Sequence, residues 1–419
     1  MSIEQFGPNN PMKKVVFLAL QYSSVSSEPN LYTDLMVTFH ENGHEVYVVA
    51  PTLDDSNEIS LTIEAGVKVL RVPTLKLFGG GLIQKGISNV LLPFQYKRAL
   101  KKSGLSLNFD LIIIPTPPIT LISLAVWLKN QSNAKLYLIL RDIFPQNGVD
   151  LKLMSKNGLA YRYFRKLEKK LYQKSDSIGC MSPENINYVK RHNNYLDHTK
   201  LHLLPNWEKL TETESDKDYD EKGKIELREQ YGMLDKVVAL YGGNIGLPQQ
   251  LENLIDLAES VRDTEDLHFL IIGWGTQKEK MKALAKEKKL DNITFLDSVT
   301  RIEFRKILKM TDIGLISLNK NFTIPNYPSK VNAYYKFKIP VLAAIDTSTD
   351  FGTQQEKIGC GLWSISGDVN SLKRNLLKLY QDEKLRHSMG QKGYDYMVNN
   401  LTPKHAYQRI AEQMKMSTF

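Results

Sequence analysis

Read for polarity alone, the chain alternates. Short apolar and β-branched runs, VVFLAL (15–20), EVYVVAP (45–51), VKVLRVP (67–73), DLIIIPT (110–116), KLYLILRD (135–142), SIGCMS (177–182) and KLHLLPN (200–206), are separated by stretches with helical spacing. Runs without a polar face suit strands covered on both sides, as in a parallel sheet between helices. WEKLTETESDKDYDEKGK (207–224) breaks the pattern; it is charged, has no apolar period and reads as a linker. A second series follows: VVALYGGNIG (237–246), LHFLIIGWGT (267–276), ITFLD (293–297), IGLISL (313–318), PVLAA (340–344) and GLWSI (361–365), with helices over Gln250–Arg262 and Gln277–Lys288. The expectation is α/β: two doubly wound, Rossmann-like domains facing a cleft. Their bounds are 1–208 and 209–401, and the amphipathic 402–419 crosses back onto the first.

Length agrees, since 419 residues make two ordinary domains. A formal charge of +9 favours anionic partners such as nucleotides or phospholipid headgroups. Two cysteines, Cys180 and Cys360, in apolar surroundings, form neither a disulfide framework nor a zinc pattern. They read as buried thiols in a reducing compartment. The first residues lack a secretory signal, and no apolar run reaches the roughly 20 residues of a membrane span. The expected place is the cytoplasm, with any membrane contact peripheral.

Three turns in the second half are candidates for chemistry. YGGNIG places Gly242, Gly243 and Gly246 after a strand, where a backbone can approach a ligand. GWGTQKEK repeats this with Gly273 and Gly275, and Trp274 between them could stack on a ring. Either alone reads equally well as an ordinary strand-to-helix turn. In NYPSKVNAYYKFKIPVLA (326–343), Ser329 reads as a cap and Pro340 as the end of the helix. The amides of Ser329, Lys330 and Val331, with the Lys330 ammonium, suit a diphosphate. A plain capped helix with a solvated lysine is the alternative.

In the first half, Arg141 and Asp142 end a strand. Asp142 there can orient a hydroxyl or accept a proton, or simply cap the next turn. Ser182 reads as the cap of a helix opened by Pro183. Two segments set basic beside apolar residues. One holds Phe78, Leu82, Lys97 and Arg98; the other, 159–174, holds Arg162, Arg165, Lys166 and Lys169 opposite Tyr163, Phe164, Leu167 and Leu171. Both suit an anionic membrane surface, or equally a helix packed on its own sheet. No nucleic-acid module appears.

Taken in order, YGGNIGLPQQLENLI, FLIIGWGTQKEKM, NITFLDSVTRIEF and YPSKVNAYYKFKIPVLA, with LRDIFPQNGVDL and IGCMSPENINYV before them, resemble retaining glycosyltransferases of the GT-B fold and family 4 type. They are most similar to the capsule and O-antigen branch that includes fucosaminyltransferase-like enzymes. The resemblance implies transfer of an N-acetylated or deoxy hexosamine from a UDP-sugar to a polyprenyl-diphosphate-linked acceptor at the inner membrane face, with no metal and no cofactor. It places uracil near Gly273–Gly275 and the loop after Leu296, and ribose near Asn332. The diphosphate falls near Gly243, Asn244, Ser329 and Lys330, with Gln249 among the nucleotide-sugar contacts, and the acceptor near Asp142. The chain departs from the wider family. An arginine and a lysine that usually hold the diphosphate are replaced by Asn244 and Gln249. A glutamate pair eight positions apart is replaced by Pro325 and Ala333, and Arg141-Asp142 stands where a histidine is common. A UDP-sugar epimerase of the same architecture and a non-catalytic partner subunit remain the alternatives.

Overall fold

The structure is a computed structural model and describes residues 13–25, 29–54, 56–77, 81–210 and 221–416. The chain divides into two compact units, Met1–Asn206 with Pro403–Phe419, and Trp207–Thr402.

The first unit is built on eight strands: β1 (Lys14–Leu18), β2 (Glu45–Pro51), β3 (Ser60–Glu64), β4 (Val67–Val72), β5 (Leu111–Pro115), β6 (Lys135–Leu140), β7 (Ser177–Cys180) and β8 (Leu201–Leu203). They lie in the order β3-β4-β2-β1-β5-β6-β7-β8. All neighbours are parallel except β3, which runs antiparallel to β4. The parallel strands are the seven runs read from the pattern. β3 was invisible to that reading because it has no buried face; Ser60 to Ile63 are all exposed. The helix Leu31–Glu41 is fixed at its start by a capping box between Asn30 and Thr33. The helix Pro403–Gln413 packs on it, with Tyr407 edge-on to Phe39 and its hydroxyl 2.9 Å from His44 Nε2. Cys180 and Cys360 are buried free thiols, and burial pushes them up to about 12 and about 11.

The second unit has six strands: β9 (Val237–Gly242), β10 (Leu267–Ile272), β11 (Ile293–Leu296), β12 (Ile313–Ser317), β13 (Val341–Ile345) and β14 (Gly361–Ile365). Their order is β11-β10-β9-β12-β13-β14, all parallel. The order reverses between β9 and β12. There the loops leaving the strands diverge and open a crevice at the carboxyl ends. The turn holding Gly243 leaves β9, and the segment reaching Lys330 leaves β12. Topology thus sets these two sequence-distant segments on either side of the crevice.

Two helix readings are corrected. The helix after Ser329 was expected to run to Pro340 but covers only Val331–Lys336, because Lys338 turns left-handed (φ 54°) and stops it. Ser329 is exposed and does not cap it; Lys330 is the residue before the first turn and makes no side-chain cap bond. By contrast Ser182 caps Pro183–His192 by accepting the Asn185 N–H. Among the described residues no helix is long and apolar enough to cross a membrane.

Candidate functional site

The turns after β9 and β10 are built as one body. Gly243 N–H donates to Ile272 O at 2.9 Å, Ile245 N–H to Trp274 O at 2.7 Å and Gln277 N–H to Ile245 O at 3.0 Å. The backbones then lie so close that a Cβ on Gly273 would stand 1.8 Å from Gly243 O, and one on Gly275 2.2 Å from Ile245 O. Both glycines also have positive φ, 148° and 152°. They are required by the meeting of two chain segments, which the sequence could not distinguish from close approach to a ligand. Lys278, unremarked in the sequence, is buried and fastens the same region. Its Nζ donates to Gly273 O at 2.8 Å, Leu296 O at 2.7 Å and Asp297 Oδ1 at 2.5 Å. Trp274 stands out from this platform, 68% exposed, with a ring free to stack.

Asn244 and Gln249 pair with each other. Asn244 Nδ2 donates to Gln249 Oε1 at 3.2 Å, and the same oxygen takes the Gly246 N–H at 3.2 Å. Gln249 thus satisfies the Gly246 amide within the turn itself. Among the described residues the Asn244 N–H keeps no protein acceptor. The same holds for the Ser329 and Lys330 amides, whereas Val331 N–H, expected to point outward, donates to Pro328 O at 3.3 Å. A six-residue helix also carries little dipole, so the weight of the diphosphate reading shifts from the helix to the lysine.

Lys330 folds back across the crevice to the turn after β9. Its Nζ lies 3.7 Å from the centroid of the Tyr241 ring and 3.1 Å from where a Cβ would stand on Gly243. It is buried and has no hydrogen-bond partner. Burial alone, with no carboxylate beside it, holds the amine at about 7. Asn326 Nδ2 and Asn332 Oδ1, from the same segment, are likewise buried and unpartnered. Buried polar atoms are nearly always satisfied, and three exceptions within seven residues make this segment the candidate site.

In the first unit Arg141 and Asp142 follow β6. The Thr116 hydroxyl accepts the Arg141 N–H at 3.2 Å and donates to Asp142 O at 3.2 Å. The Arg141 guanidinium lies over the Tyr32 ring, 5.7 Å from its centroid. Burial raises the Asp142 carboxyl above its usual value, and Arg141 opposes the shift. A cavity of about 790 Å³ opens beyond β1, β2 and β4, lined by Tyr22, Ser23, Ser24, Thr52, Asp54 and Lys76 among others. The sequence reading passed over it. Its only signal was the polar QYSS directly after the first strand.

The two basic segments fare differently. Leu82–Lys102 is one helix with Ile87, Leu91 and Phe94 exposed. Arg98 is exposed too, while Lys97 Nζ lies 4.9 Å from the Trp127 ring centroid. Phe78 and the side chain of Leu82 lie outside the described residues. On the helix Leu159–Lys174, Arg162 and Lys166 are exposed and Lys169 Nζ sits over Tyr195, 4.6 Å from its ring centroid. Arg165, assigned above to the outer face, turns inward instead. It pairs with Glu168 and donates to His192 O at 3.0 Å and Asn193 Oδ1 at 2.8 Å. The reason is Glu168, a buried carboxylate on the apolar face, raised by burial and held by Arg165 and the Tyr172 hydroxyl.

Two parallel α/β units, the second reversing strand order at the crevice that carries these unpartnered groups, define the GT-B class, and comparison makes the assignment particular. Residues 30–207 match the family model Glycosyltransferase Family 4, and residues 223–396 match Glycosyl transferases group 1. The chain is a GT-B glycosyltransferase of the family 4 type. It is 23% identical over 286 residues to "Probable glycosyltransferase WbjE" of Pseudomonas aeruginosa, covering 67% of this chain and 68% of that one. It is 33% identical over 130 residues, 31% of each chain, to WcaI of Escherichia coli K12, named for colanic acid biosynthesis. Among solved structures, Anabaena HepE in complex with UDP and glucose superimposes with a TM-score of 0.69 at 12% identity, over 97% of this chain and all of that one.

Proposed function

We propose that this glycosyltransferase moves a sugar, an N-acetylated or deoxy hexosamine, from a UDP-sugar to a polyprenyl-diphosphate-linked acceptor, with retention, in capsule, O-antigen or exopolysaccharide synthesis. The carrying observation is the buried, unpartnered Lys330 Nζ at the turn after β9. An ammonium there meets the diphosphate as the bond from the anomeric carbon to the β-phosphate oxygen breaks, where charge develops on the leaving group. The Asn244, Ser329 and Lys330 amides add donors without a protein acceptor, and the exposed Trp274 offers a face to uracil. The acceptor hydroxyl attacks the anomeric carbon on the face the UDP leaves, and Asp142 takes its proton; a raised carboxyl pKa suits that exchange. No step requires a metal or cofactor. HepE, of like fold, holds UDP, and WcaI is named for a polysaccharide; both agree with this reading.

The first unit presents what a lipid-linked acceptor asks for. The hydroxyl-rich cavity suits a glycan, and Ile87, Leu91 and Phe94 on a helix ending in Lys101 and Lys102 suit an anionic inner leaflet. The test is a thermal-shift panel of UDP-, GDP- and dTDP-sugars, followed by transfer to a polyprenyl-diphosphate sugar. UDP-sugars should raise Tm selectively. Turnover of a UDP-sugar without acceptor would identify an epimerase instead. Absence of any nucleotide effect would remove the donor site.

A further inference from the structure

Lys278 holds a carboxylate in place beside the crevice. Two of the three acceptors on its Nζ are backbone carbonyls, Gly273 O at 2.8 Å and Leu296 O at 2.7 Å; the third is Asp297 Oδ1 at 2.5 Å. The lysine side chain is 8% exposed and the aspartate side chain 92%. An ion pair with one member in water adds little stability, and the two carbonyls already anchor the ammonium. The third bond fixes the direction of a carboxylate that water would otherwise leave free to turn. Asp297 Oδ1 and Gly273 O share one Nζ, so they stand at most about 5.3 Å apart. Trp274 follows Gly273 and Asp297 follows Leu296, and Gly273 N–H donates to Leu296 O at 3.4 Å. The carboxylate is therefore pinned beside the turn that offers the exposed indole, at the carboxyl ends of β10 and β11. Its Oδ2 takes no donor from the described residues. Lys278 first, and Lys282 beyond it, hold the carboxyl below its usual range, so it is ionised at neutral pH.

We infer that Asp297 selects the nucleobase, its Oδ2 accepting the ring N–H of a base stacked on Trp274. With a UDP-sugar in the crevice, the reading on which this rests, that group is uracil N3–H. An ionised carboxylate can only accept. It rewards a ring nitrogen that carries a proton and repels one that presents a lone pair. Uracil and cytosine have the same size and the same face for stacking, but N3 donates in uracil and accepts in cytosine. The bond to uracil is charge-assisted, and with cytosine two acceptors face each other, the kind of mismatch a polar site rejects most strongly. Lys330 meets the diphosphate, which both nucleotides share, so base choice and phosphate binding fall to different residues.

Calorimetry of UDP and CDP on the full chain tests this, with the wild type, Asp297→Asn, Asp297→Ala and Lys330→Met. The wild type should bind UDP at least about tenfold more tightly than CDP. Asp297→Asn is the informative change. Lys278 offers only N–H groups, so it keeps the amide oxygen toward itself and leaves Nδ2 where Oδ2 stood. A donor then replaces an acceptor, and the preference should fall to parity or reverse toward CDP. Loss of a structural contact has no reason to improve CDP relative to UDP. Asp297→Ala should abolish the preference with Tm unchanged, since the side chain is exposed. Lys330→Met should weaken both nucleotides by the same factor and keep their ratio. Equal affinity of the wild type for UDP and CDP, or a preference that Asp297→Asn leaves intact, overturns the inference while the donor reading stands. Failure of the wild type to bind either nucleotide removes the donor reading and this inference with it.

Discussion

Lys330 makes a quantitative forecast about proton uptake. Its amine sits near 7 in the free protein because it is buried with no anion beside it. A diphosphate brings two negative charges or more to that amine and restores its usual high pKa. Binding of UDP therefore requires the protonated form, and affinity must fall as pH rises through the free-state value. From the protonated fraction alone, Kd should weaken about sixfold from pH 7 to pH 8 and about fiftyfold from pH 7 to pH 9. Titration calorimetry in buffers of different ionisation enthalpy should register uptake of about half a proton per UDP at pH 7 and about 0.9 at pH 8. Lys330→Met should flatten this profile between pH 7 and 9 and weaken UDP by about 1.5–3 kcal/mol, roughly ten- to 150-fold. The free protein bears the opposite sign. Between about 7 and the unfolded value of 10.5 the unfolded chain binds the extra proton, so stability rises with pH over that window. Lys330→Met should then stabilise the unliganded protein at pH 7 by about 1–3 kcal/mol, the cost of an unsatisfied buried donor. A pH-independent Kd with no proton uptake, or a Lys330→Met variant that binds UDP like the wild type, would refute the role.

Gly273→Ala places a methyl 1.8 Å from Gly243 O. The variant should lose at least about 1–3 kcal/mol in urea unfolding and UDP affinity with it. Asp142→Asn should leave the UDP-induced Tm shift intact while lowering kcat about 10²- to 10⁴-fold, read in a transfer assay. Arg165→Met should act through the fold, since it strands the buried Glu168; a loss of about 3 kcal/mol in denaturant melts is expected. Phe94→Ser removes an exposed ring and should weaken co-sedimentation with anionic vesicles about tenfold or more with Tm unchanged.

How much of this was legible depended on whether the controlling interactions were local. The parallel strands were readable because a strand buried on both faces must be apolar at every position. β3 was not, since an edge strand with Leu61 and Ile63 exposed carries no such mark. Ser182 was readable as a cap because the bond it makes spans three residues. Ser329 looked the same and caps nothing, because the chain around it is set by the crossover from β12 to β13. Arg165 was misplaced for a related reason: its position on the helix said outward, and a buried carboxylate one turn on pulled it in.

The sequence by itself determined two doubly wound α/β halves and the glycine-rich turns at the strand ends, because burial on both faces and tight reversal each leave a signature over a few residues. Only the tertiary structure decided what those turns do. Strand order β11-β10-β9-β12 brings residues 243 and 330 together across the crevice, and spends Gly273 and Gly275 on the contact between two backbones. That arrangement leaves one lysine amine buried without a partner, and burial depends on neighbours distant in sequence.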